Sequence, residues 1–182
     1  MFRPILLAMG LALAAGCAHG DARPRTVPAA APTEAHQQLL NHLAGHWVLT
    51  GAIAGHDVVH DMDGAWVLQG NYVRLDEVSR EQDASGKPQY EATIYVGWLE
   101  AAHRYVCLWL DNTEVASGDV TCTAADTPDT LPFEFRDAHG ALQIATTFTY
   151  HPADDRWSVQ IDNVDQGRRT SFAILEMRRR GG

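Results

Sequence analysis

The densest group of chemically active side chains is His56-Asp57-Val58-Val59-His60-Asp61-Met62-Asp63. Imidazoles and carboxylates at this density could hold a metal ion or move protons. On a strand, His56, Val58, His60 and Met62 share one face, and Asp57, Val59, Asp61 and Asp63 share the other. The two histidines then lie about 13 Å apart, too far to grip one ion. Ligands from neighbouring strands would have to complete a site around either one. No second local cluster does so, and no metal is expected. The plainer reading is an acid-rich strand with one solvated face.

Tyr72, Arg74 and Asp76 share one face of the strand that begins at Asn71. Facing inward, Arg74 and Asp76 would anchor a ligand carboxylate or hydroxyl. Facing outward, they form a surface pair worth little. Val73 and Leu75 on the opposite side suit a core, which favours the outward reading. The chain has five tryptophans, Trp47, Trp66, Trp98, Trp109 and Trp157. Core packing is the default use of an indole. In a barrel, some would line a cavity for an apolar ligand. Trp47, Trp98 and Trp109, with Tyr72, Arg74 and Phe148, are the candidate ligand contacts. Asp111 starts a turn with Asn112 and suits a backbone-capping role. His103 and His151 also fall in turns and read as exposed.

Signatures of catalysis are missing. There is no G-x-S-x-G elbow, no H-E-x-x-H, no P-loop and no dinucleotide-binding glycine pattern. No catalytic residue and no cofactor is assigned. A His and a carboxylate brought together by folding would still make an enzyme, because such groups need proximity in space and not in sequence.

The formal charge is −9, from 14 basic and 23 acidic residues. That balance argues against a nucleic-acid partner, which needs clustered Lys and Arg. It also argues against a polybasic membrane patch. Arg178-Arg179-Arg180 is the one basic run and reads as a solvated tail.

The first residues carry an address. Arg3 supplies a positive start, and Ile5 to Ala15 form a short apolar run broken by Gly10. The run is too short to span a bilayer and reads as a secretory signal. Leu13-Ala14-Ala15-Gly16-Cys17 then sets small residues before a cysteine, which resembles the lipobox of bacterial lipoproteins. That family prefers Leu where Ala14 stands. The resemblance implies cleavage after residue 16 and lipidation of Cys17. With Ala18 rather than Asp next, it implies an outer-membrane lipoprotein facing the periplasm, in contact with the membrane through its lipid alone. Ala12-Leu13-Ala14 also fits a small-x-small cut, which would leave a soluble periplasmic chain. Residues 18–33 are rich in Ala and Pro and read as a tether reaching roughly 50 Å. The expected organisation is a signal over 1–16, a lipidated tether over 17–33 and one domain over 34–180. With Cys17 lipidated, Cys107 and Cys122 remain as a pair. An oxidising compartment would let them join, provided their Cα atoms come within about 7 Å.

Thr33 and Gly45 bracket a short helix with Leu39, Leu40 and Leu43 on one face. From His46 onward, runs rich in Val, Ile, Thr, Tyr, Phe and Trp alternate with turn clusters at 54–55, 69–71, 83–88, 100–103, 126–129, 137–140, 151–155 and 162–167. This rhythm predicts an all-β antiparallel meander of about nine or ten strands. A closed up-and-down barrel hides its edges most simply, and a two-sheet sandwich is the alternative.

Gly45-His46-Trp47, just behind the helix, resembles the G-x-W signature of lipocalins and their calycin relatives. The segment from Tyr95 to Asp111, with Gly97-Trp98, Tyr105-Val106 and Trp109-Leu110-Asp111, is similar to a hairpin of the bacterial domain-of-unknown-function family 1579. There Leu99-Glu100 replaces the family's aromatic-aspartate pair. Leu43-Ala44-Gly45-His46-Trp47 and Gly64-Ala65-Trp66-Val67-Leu68 also look like that family. The resemblance covers roughly residues 36–178, implies a lipocalin-like barrel and transfers no catalytic residue. Some small calycin barrels, the nitrobindins, hold haem on a C-terminal histidine. Arg156 to Ile161 and Thr170 to Met177 contain none, which counts against haem, with His139 or His151 as the substitutes a different geometry would need. The expectation is an envelope module that binds a small apolar or amphipathic ligand. The rivals are a His/carboxylate enzyme and an adaptor with a filled barrel and a protein partner.

Overall fold

The structure is a computed structural model and describes residues 34–113 and 120–181. Cys17, the expected signal and the tether lie outside the described residues.

Alternating side chains build the wall of the molecule. The chain runs through one helix, α1 (Glu34–Asn41), and then ten strands. These are β1 (Gly45–Ile53), β2 (His56–Val67), β3 (Tyr72–Ser79), β4 (Glu91–Leu99), β5 (Arg104–Asp111), β6 (Thr121–Ala125), β7 (Thr130–Arg136), β8 (Leu142–His151), β9 (Arg156–Asp165) and β10 (Arg168–Arg179). Each strand pairs antiparallel with the next, and β10 returns to β1, so the sheet closes. Closure leaves no free edge, which is why the barrel prevails over the sandwich. The expected turns join the strands. The last is shorter than the sequence suggests, because β9 runs on to Asp165 and only Gln166 and Gly167 form the hairpin. Gln166 and Gly167 both take positive φ, as do Ala54 and Gly55 between β1 and β2. This is the two-residue hairpin geometry that suits strand twist.

The inward faces of the strands are largely apolar. Trp47, Leu49, Met62, Val73, Leu75, Ile94, Val96, Leu131, Phe133, Phe148, Trp157, Val159, Leu175 and Met177 are buried together. α1 closes one end. Leu39, Leu40 and Leu43 are at most 5% exposed and join the same core. Burial of such a side chain contributes about 1.5–3 kcal/mol. The turn after α1 rests on Gly64 of β2. A Cβ at Gly64 would come within 2.2 Å of the Leu43 carbonyl oxygen, so the plug requires glycine there. Cys107 on β5 and Cys122 on β6 are register partners, 4.9 Å apart at Cα, and are joined by a disulfide. The fold is therefore an all-β, closed, ten-stranded antiparallel barrel with one short helix, of the lipocalin-like type.

Candidate functional site

The two ends of the barrel differ, and the tryptophans show how. Four of the five hold the helical plug. Trp47 Nε1 donates to the Leu43 carbonyl at 2.9 Å, and Trp157 Nε1 donates to the His42 carbonyl at 3.1 Å. Trp66 Nε1 donates to the Asn41 side-chain oxygen at 2.8 Å. Trp98 stacks on His36, with ring centroids 3.5 Å apart, and donates to Glu100. Arg179 lies over the Trp47 ring at 3.7 Å and also donates to the Ala44 carbonyl. The Trp47, Trp157 and Arg179 bonds satisfy carbonyls of residues 42–44, in the turn that follows α1. His36 Nδ1 faces Asp126 at 3.2 Å. Tyr105 lies beside His36, and burial, aided by the Asp126 charge, pushes its phenol up to about 12.

The middle of the barrel is packed. Leu43, Leu75, Ile94, Val96, Leu131, Phe133 and Phe148 enclose a gap with no room for a water molecule. Phe148 meets Phe133 and Trp157 edge-on.

The end away from α1 is built differently. Ile53, Val58, Trp109, Phe135 and Ile161 have the inward parity of the core, yet each is only half-buried. Beneath them lie two buried polar side chains, His60 and Glu77, at 2% and 5% exposure. Register brings the pair together. Met62 lies opposite Glu77 and His60 opposite Ser79, so His60 and Glu77 are diagonal neighbours on the inward face. His60 Nδ1 and Glu77 Oε1 are 2.6 Å apart. With the carboxylate ionised, Nδ1 carries the proton and donates to it. Nε2 has no hydrogen-bond partner among the described residues.

Tyr90, just before β4, completes the group. Its ring stacks on His60 with centroids 5.5 Å apart, and its hydroxyl accepts from Trp109 Nε1 at 3.2 Å. Trp109 in turn meets Phe135 edge-on at 5.9 Å. Burial raises the Tyr90 phenol far above its ordinary value, and the negative charges of Glu77 and Asp111 push it the same way. The result is an apolar rim of half-covered side chains, the cup, above a buried, hydrogen-bonded His–Glu pair. His60 and Glu77 supply two ligand atoms where a metal site needs about four. No group of three or more His, Cys, Asp or Glu fit to hold a metal occurs among the described residues.

The sequence-derived ligand contacts are scattered through this arrangement. Trp109 lines the cup. Trp47, fully buried, and Trp98 serve the plug, while Phe148 fills the packed middle. Tyr72 and Arg74 project from the outer face of β3. Tyr72 lies across Gly97 of β4, and Arg74 pairs with Asp76 at 2.8 Å with both side chains well exposed. The outward reading of this face is correct, so neither residue reaches the interior. His56 is exposed at the rim, and Asp61 pairs on the surface with Arg80 and Arg180. Asp111 accepts from the backbone and hydroxyl of Thr113, as its turn position suggests. Glu77 and Tyr90 escaped sequence reasoning. The signal for Glu77 was present: it shares the apolar face of Val73 and Leu75, where an acid needs a partner.

A surface cleft of about 390 Å³ lies at the same end, between residues 141–143 and the β9–β10 hairpin. Its ionisable groups are Asp165 and Arg169, on an open surface without a buried polar partner in the lining. The cup offers the better organised chemistry. The sequence matches no known family model and no curated protein.

Proposed function

We propose that this chain is an envelope lipoprotein, held by lipid at Cys17, whose barrel takes up a small apolar or amphipathic molecule at the end away from α1. One observation carries the binding reading. At that end the half-buried inward side chains of Ile53, Val58, Trp109, Phe135 and Ile161 lie above the buried, hydrogen-bonded His60–Glu77 pair. Small-molecule sites combine such an apolar lining with a few placed polar groups. A ligand covering on the order of 300 Å² would gain roughly 7 kcal/mol before ordering costs, which allows micromolar affinity at best.

Trp109 provides the readout. Titration with hydrophobic dyes and envelope lipid extracts should give saturable quenching in the wild type. The change should be absent or much smaller in Trp109→Phe, because Trp47 and Trp157 are fully buried and Trp66 and Trp98 belong to the plug. No saturable binding by any probe would remove this reading in favour of an adaptor.

A second reading draws on the same pair. A histidine oriented through Nδ1 by a carboxylate presents Nε2 as a general base. Mass analysis of the ligand after prolonged incubation separates the two. Recovery unchanged supports binding, and a converted product supports an enzyme.

A further inference from the structure

We draw no further inference here: the strongest candidate, the ring of half-covered apolar side chains around Trp109 and Phe135 at the barrel mouth away from α1, belongs to the site already described, and nothing in the structure shows what covers it.

Discussion

At the scale of single residues, the pairing of His60 with Glu77 sets the energetics of the far end. A buried ion or hydrogen-bond pair is costly to break from one side, because the remaining partner keeps its desolvation penalty. Glu77→Leu should therefore destabilise the fold by about 3 kcal/mol. The double variant His60→Leu/Glu77→Leu should recover much of that loss, because an apolar pair of similar volume needs no hydrogen bond. Urea unfolding of both single variants and the double variant measures the coupling, and simple additivity would argue against a shared interaction. The phenols supply a pH prediction. Tyr90 and Tyr105 have folded pKa values raised by burial. A group of this kind leaves stability intact below its unfolded value, about 10, and costs stability as pH rises above it. Stability should fall above about pH 10, and Tyr90→Phe and Tyr105→Phe should each flatten that fall. Unchanged alkaline slopes in both variants would mean that these rings are not shielded from water.

At the scale of elements, the helix is a plug whose own propensity is minor. Eight residues are too few for a stable isolated helix in water. Packing of Leu39, Leu40 and Leu43 and the indole hydrogen bonds to residues 41–43 hold it in place. Leu40→Ala should cost about 3 kcal/mol through the cavity it leaves. Trp47→Phe should cost less, about 1 kcal/mol for the lost hydrogen bond together with some packing and the Arg179 contact. Thermal unfolding ranks the two, and a larger loss for Trp47→Phe would assign the plug's strength to the indole rather than to its leucines. The β5–β6 hairpin carries the other staple. The cysteines are 15 residues apart, and closing a loop of that size is worth about 3 kcal/mol. Reduction, or replacement of both cysteines by Ala, should lower unfolding stability by about that amount. Thiol counting on the denatured, unreduced mature protein should show neither residue free.

At the scale of the whole molecule, the two ends of the barrel divide the labour. One end is closed by α1 and fastened by tryptophans. The other keeps half-covered apolar side chains over a buried His–Glu pair. The excess of acids leaves the exterior without a field that would draw nucleic acid or anionic lipid. On the proposed lipoprotein reading, attachment to a membrane would rest on the acyl group alone. Expression of the full chain in a bacterial host should yield a membrane fraction with acyl mass on Cys17, and Cys17→Ala should release the protein. A mature chain that starts at Ala15 without lipid would replace this with the soluble periplasmic alternative.

Local sequence determined the strands, the turns and the short helix, because side-chain alternation and turn chemistry act over a few residues. Leu142, Ile144, Thr146 and Phe148 announce β8 in this way, and Trp157, Val159 and Ile161 announce β9. It also determined which face of β3 turns outward, since Val73 and Leu75 outweigh Arg74 and Asp76 in the cost of exposure. The partners of those faces were not legible. Whether a tryptophan fastens a plug or lines a cup depends on which end of the barrel its position reaches. That depends on strand direction and register around a closed sheet. Trp98 and Trp109, on neighbouring strands and similar in sequence context, end at opposite mouths for this reason. His60 and Glu77 lie 17 residues apart in the chain, and only the diagonal pairing of β2 with β3 makes them a unit. Tertiary structure alone decided the site, because burial of a charge becomes tolerable only where long-range register supplies its partner.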